Sequence, residues 1–162
     1  MSDWPKISTV GMAGLLVTFD EKMSEPANRA ALAFRAAVDA QEWSEVSETT
    51  TSLVSTFVLF DICTVSIEMM RDRIAALLET RDWALAPLPS GRRLWHVPTV
   101  YGTDLAPQLE EAARLAGMDP DQAIIELAAS RVRVLTIGFA PGQPYMGELS
   151  SAWDIPRQEG LT

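Results

Sequence analysis

The chain is poor in the residue types that much site chemistry draws on. It has one cysteine, Cys63, and one histidine, His96, in 162 residues. A single cysteine forms no internal disulfide and no thiolate cluster. A single histidine builds no metal site without carboxylate help, and no H-E-x-x-H spacing is present, so no metal is expected. There is no G-x-S-x-G nucleophile elbow and no G-x-x-x-x-G-K-[ST] phosphate loop. Cofactor binding through a recognisable motif is therefore not expected. No apolar run reaches the roughly 18 residues of a spanning helix. The N-terminus, Met1-Ser2-Asp3-Trp4-Pro5-Lys6, lacks the charged-then-apolar order of a signal peptide. Lys and Arg number 13 against 22 Asp and Glu, a net charge of −9. That balance argues against a nucleic-acid surface and against an anionic membrane. The expectation is a cytoplasmic protein.

What is present is a core and punctuation. Hydrophobic residues make up 48% of the chain, enough for one packed domain or slightly more. Leu15–Phe19 is a short apolar run that reads as a buried strand. Ser24 can cap a helix with Pro26 in its first turn, and Ala27, Ala30, Ala31, Phe34 and Val38 mark one helical face. A polar β-branched stretch then leads into Phe57-Val58-Leu59-Phe60, a central strand. Thr64 or Ser66 opens a second helix with Ile67, Met70, Ile74, Leu77 and Leu78 inward. This β-α-β-β-α order, with a further strand at Arg93–Val100, predicts an α+β fold: a small sandwich with helices on one face of an antiparallel sheet.

Ala86-Pro87-Leu88-Pro89-Ser90-Gly91 reads as a boundary, giving domains 1–88 and 89–162. In the second, Asp104 starts a helix over Leu105, Leu109, Ala112, Ala113 and Ala116 that Gly117 ends. Asp119-Pro120-Asp121-Gln122 opens another. Val132–Ile137 alternates like a strand and runs into Gly138-Phe139-Ala140-Pro141-Gly142-Gln143-Pro144-Tyr145-Met146-Gly147. The prolines rule out a helix or central strand, and the glycines permit sharp turning and close approach. On spacing alone this is a turn leaving a strand; such rigid loops also carry binding residues.

The Gly138–Tyr145 loop is similar to the GFxPGFPY segment of the allophanate hydrolase subunit 1 family. That family includes the B subunit of bacterial 5-oxoprolinase and the Kip-type histidine kinase inhibitors. Val97-Pro98-Thr99-Val100-Tyr101-Gly102 resembles its IPVxYGG segment, Pro107-x-Leu109-Glu110 its GPDLE, and Ile155-Pro156-Arg157 its LPRR. Gly11–Phe19 and Ser52–Asp61 resemble its two N-terminal strands. The resemblance implies that the second domain is an incomplete cyclophilin-like β-barrel, lacking its later strands. It would then be completed by a partner or by domain swapping, as a homo-oligomer.

The resemblance also implies a larger carboxyltransferase-like partner subunit. The implied reaction is hydrolysis of a C–N bond in a small cyclic amide or ureido acid, with ATP consumed by the complex in the oxoprolinase case. The alternatives are a Kip-like inhibitor that binds a sensor histidine kinase and a non-catalytic binding module; the chain by itself is expected to be inactive. Carried over position by position, the substrate- or partner-binding residues are Tyr101, Gly102, Pro107, Gly138, Phe139, Pro141, Gly142, Pro144 and Tyr145. The hydroxyl and ring of Tyr145 would orient a small amide or imide. Thr103, Ala106, Gln108, Gln143 and Ala128 depart from the family pattern, removing an acid, an aromatic and a base. No catalytic residue is assigned. His96 is expected as an ordinary strand residue and Cys63 as a buried structural thiol. Arg92 and Arg93 are expected as solvated charges, and Glu110, Glu111, Asp119 and Asp121 as helix-dipole partners.

Overall fold

The computed structural model describes residues 4–138 and 140–156. They divide into two compact units. One runs up to Arg92 and includes Leu135–Gln143; the other holds Arg93–Val134 and the residues from Pro144 onward. The architecture is mixed α and β with antiparallel sheets, and no closed barrel is present among the described residues.

The first unit contains β1 (Lys6–Val10), β2 (Gly14–Thr18), α1 (Glu25–Asp39), β3 (Val46–Ser52), β4 (Ser55–Phe60) and α2 (Ile67–Leu78). The sheet order is β1-β2-β4-β3, antiparallel throughout. Leu15 pairs with Val58 and Val17 with Thr56, so the two-residue side-chain period puts all four on one face. All four are fully buried. Above that face lies α1, started by Ser24, whose hydroxyl accepts the Ala27 N–H, and by Pro26 in the first turn. Its predicted face is the buried one: Ala27, Ala30, Ala31, Phe34 and Val38. Thr56 Oγ1 donates to the Ala31 carbonyl at 2.7 Å, tying sheet to helix.

For α2, Ser66 rather than Thr64 is the cap, accepting the Met69 N–H. Met70 and Ile74 join the core. Phe34 sits at the centre, edge-on to Phe19 at 5.6 Å and to Trp83 at 5.1 Å. Burial of each such large side chain contributes about 2 kcal/mol.

Both sheet edges are blunted. Arg71 of α2 donates to the Ile7 carbonyl and to Thr9 Oγ1, each at 2.9 Å, and so occupies β1. A register shift between Val46 and Glu48 bulges β3. Such devices keep an exposed strand from pairing with other chains. The sequence pattern does not announce β1, because only Ile7 of its five residues turns inward.

The second unit contains α3 (Leu109–Leu115) and α4 (Pro120–Ala129). Late in the chain come β5 (Val134–Ile137), which from Leu135 on belongs to the first unit, and β6 (Pro144–Met146) of the second. Gly117, at φ +73°, ends α3. The Gly117 N–H reaches the Arg114 carbonyl and the Met118 N–H the Ala113 carbonyl, the Schellman pattern that a left-handed glycine makes available. Asp119 caps α4 through the Gln122 N–H, with Pro120 the first helical residue.

Three expectations are corrected. The helix begins at Leu109, not Asp104: Pro107 disfavours helical backbone at Ala106, and residues 103–106 form turns instead. Arg93–Val100 is in no strand and is exposed along its length. An extended segment becomes a strand only by pairing, and Pro98 removes one donor. Cys63 is exposed, not buried. The strand ends at Phe60, and the chain turns at once, with Asp61 Oδ1 accepting the Cys63 N–H.

Candidate functional site

The predicted site residues fall in both units. In the first, the Gly/Pro loop is a tight reverse turn. The Gln143 N–H donates to the Ala140 carbonyl at 3.0 Å, with Pro141 and Gly142 between them and Gly142 at φ +78°. Proline second and left-handed glycine third is the signature of a type II turn. The Gly138 N–H donates to the Gln143 carbonyl at 3.1 Å and closes the hairpin. Pro141 and Gly142 are exposed and Gly138 is half-buried; Phe139 lies outside the described residues. The loop therefore presents backbone and a proline ring to solvent on a stiff frame.

In the second unit, Pro144 and Tyr145 lie on β6, exposed. Pro144 is the first residue of that strand, a position proline tolerates. Tyr101 and Pro107 line an open depression of about 430 Å³ with Leu105, Leu109, Leu127 and Gln108. Gly102 shapes this wall for two reasons. Its φ is +66°, and a Cβ there would stand 3.2 Å from Leu109 Cδ2. Thr103 stabilises the turn: its Oγ1 accepts the Leu105 N–H and its carbonyl the Ala106 N–H. The depression is mostly apolar, with the tyrosine and the Gln108 amide as its polar side chains.

A second depression of about 500 Å³ is lined by Met118, Gln122, Ile125, Glu126 and Ala129. The Glu126 carboxylate accepts from Ser150 Oγ and from Trp153 Nε1, tying residues 150–153 to α4. Sequence reasoning had no signal for this tie, since the partners are 24 and 27 residues apart. His96 and Arg92 are exposed, and the Arg93 guanidinium stacks over the Trp95 ring at 5.0 Å. Among the described residues no group of three or more His, Cys, Asp or Glu could hold a metal ion. Among those residues too, no helix is long and apolar enough to cross a membrane.

The other residue that sequence reasoning missed is Asn28, on α1 and 1% exposed. Its Nδ2 donates to the carbonyls of Leu53 and Leu135.

Comparison with known proteins places the chain. The B subunit of the 5-oxoprolinase of Bacillus subtilis is 25% identical over 167 residues, covering 94% of this chain and 67% of that protein. A crystal structure of TTHA0988 superposes with a TM-score of 0.67 at 22% identity, covering 91% of this chain and 28% of the other. A second crystal form gives 0.64 at 25% identity, with 91% and 27% covered. The chain thus spans about two thirds of the length of one relative and under a third of the other. The family model for the carboxyltransferase domain, subdomain C and D, matches residues 5–161, and the chain belongs to that family.

Proposed function

We propose that the chain is one component of a hydrolase assembly, similar to the 5-oxoprolinase B subunit. It would act with a larger carboxyltransferase-like subunit to hydrolyse a C–N bond in a small cyclic amide or ureido acid, with ATP consumed by the assembly in the cytoplasm. The observation that carries this reading is the family match along nearly the whole chain, together with a relative named as one subunit of an enzyme. In this reading the first unit takes the role of the small α+β sandwich domain, and the second that of the cyclophilin-like one. Tyr101, Gly102, Pro107, Pro144 and Tyr145 of the second unit, and Gly138, Pro141 and Gly142 of the first, contact substrate or the larger subunit, as does Phe139, which lies outside the described residues. The side chains on offer suit an auxiliary role. A tyrosine ring, an amide and turn backbone can bind and orient an amide; proton transfer and ATP chemistry fall to the partner.

The test is reconstitution. ATP hydrolysis dependent on 5-oxoproline, or ammonia release from allophanate, is measured for the pure chain, for the larger subunit, and for both together. Turnover only in the mixture is expected. Turnover by the chain alone overturns the division of labour.

The substitutions at Gln143, Gln108 and Ala128 favour a second reading, a Kip-like inhibitor of a sensor histidine kinase, because binding alone tolerates them. Inhibition of kinase autophosphorylation with no reconstituted turnover would select it.

A further inference from the structure

We infer that Asn28 is the positioning residue of the Gly/Pro loop, fixing the loop to α1 through the backbone at its first strand. Three elements meet at this amide. Asn28 lies in the first turns of α1, directly after the Ser24 cap and Pro26. One of its N–H groups donates to Leu53, the turn residue between β3 and β4. The other reaches Leu135, in the strand that leads into Gly138, at 3.2 Å. Side chain and targets are 25 and 107 residues apart in sequence.

Leu53 explains why a buried amide is used at this point. Its φ is +51°, a left-handed backbone that branched and bulky side chains avoid. Such a conformation persists when surrounding structure over-determines it. The Asn28 amide holds the Leu53 carbonyl, and the Phe19 N–H holds the next one, Val54, at 2.9 Å. The same side chain then fastens Leu135. A buried amide must keep its hydrogen bonds, since water cannot replace them. The geometry of the turn and the position of the loop are therefore set together. Thr56 provides the contrast. It too makes a buried bond to α1, to the Ala31 carbonyl, but that bond fastens only the sheet.

The consequence deepens the proposed function and rests on it: whatever engages the loop reads a surface placed by α1. The experiment is peptide-resolved hydrogen exchange on the full chain, comparing Asn28→Ala and Asn28→Asp with Thr56→Val. Exchange at Gly138 and Gln143 should rise at least about tenfold more than in β2 and β4 in both Asn28 variants. In Thr56→Val the loop and the sheet should change together. An unchanged loop in Asn28→Ala, or loop and sheet rising together in all three variants, overturns the assignment.

Should the Asn28 variants not fold, the wild-type chain decides. The Gly138 and Gln143 amides should open with the same protection as the first turns of α1; exchange at coil rates beside a protected α1 refutes the tie. Binding of the larger 5-oxoprolinase-type subunit is measured on the same proteins. Selective loosening with unchanged binding leaves Asn28 as the positioning residue and removes the loop from the contact surface.

Discussion

The two units of this chain hold themselves together by different means. The first gathers Leu15, Val17, Phe34, Val58, Phe60, Met70 and Ile74 into one buried cluster under two helices. The second, among its described residues, fully buries only Ala113 and Ala123, and leaves Leu94, Trp95, Val97, Val100 and Leu105 each more than 60% exposed. Its order comes from local signals: the glycine end of α3, the Asp119 cap, the Thr103 turn and the Glu126 tie. A core gives cooperative stability that single changes at exposed positions barely dent. A unit built from caps and turns loses order in small steps.

The largest test of the contrast is Phe34→Ala. Removing a fully buried ring packed on Phe19 and Trp83 should cost about 3–5 kcal/mol. A thermal melt followed by near-ultraviolet circular dichroism reads this loss. Leu105→Ala, at an 88% exposed position, should stay within about 0.5 kcal/mol. Equal effects would mean that the cluster is not the seat of stability.

Gly14→Ala comes next. A Cβ on Gly14 would stand 2.5 and 2.7 Å from the Phe57 ring and 2.7 Å from the Val10 carbonyl. The ring could swing away, but the carbonyl belongs to the strand. The cost should be about 1–3 kcal/mol, seen as a lower urea midpoint with unchanged slope. A neutral substitution would show that the turn from β1 to β2 yields easily, and would weaken the picture of a rigid first unit.

In the second unit the corresponding lever is a cap. Asp119→Ala removes the acceptor of the Gln122 N–H and should cost about 1 kcal/mol. Gly117→Ala meets open space, so its cost of about 1–2 kcal/mol is backbone strain alone. Both should raise hydrogen exchange in α3 and α4 while leaving Phe34 and its neighbours protected. Loss of protection in both units together would overturn the separation.

Much of the first unit could be read from the sequence because local signals and burial agree there. Ser24, Pro26 and the spacing from Ala27 to Val38 specify α1; the run from Phe57 to Phe60 specifies β4. Failures occurred where one signal was missing. Lys6–Val10 is an edge strand with a single inward side chain, so alternation is faint. Arg93–Val100 has a strand's composition but no ladder. Cys63 follows an apolar strand, yet its exposure is set by the turn after Phe60. At the candidate site, the turn chemistry of Pro141 and Gly142 was legible, whereas the depression that brings Tyr101 and Pro107 together with Leu127 joins residues from separate elements. The roles of Asn28 and Glu126 depend on partners far away in sequence, which no local pattern reports.

The smallest expected effect is electrostatic and belongs to the first unit. The Glu45 carboxyl lies below its ordinary value of 4.5, chiefly through hydrogen bonding to its own backbone N–H. Partial burial acts in the opposite direction, and the Arg73 guanidinium, 3.2 Å away, adds to the lowering. The folded chain therefore binds this proton less readily than the unfolded one. The stabilisation is fully present above the unfolded value, near 4.5, and is lost as pH falls through the lower folded value. Glu45→Gln should lower the thermal midpoint slightly at neutral pH, and the difference from wild type should shrink as pH falls below the ordinary value of 4.5. Arg73→Met should reproduce only part of the shift, because the leading cause is the backbone bond that it leaves in place. If Arg73→Met abolished the pH dependence entirely, the ion pair and not the backbone would be the source. If the dependence appeared equally in probes on α3 and α4, the two units would not be titrating as separate bodies.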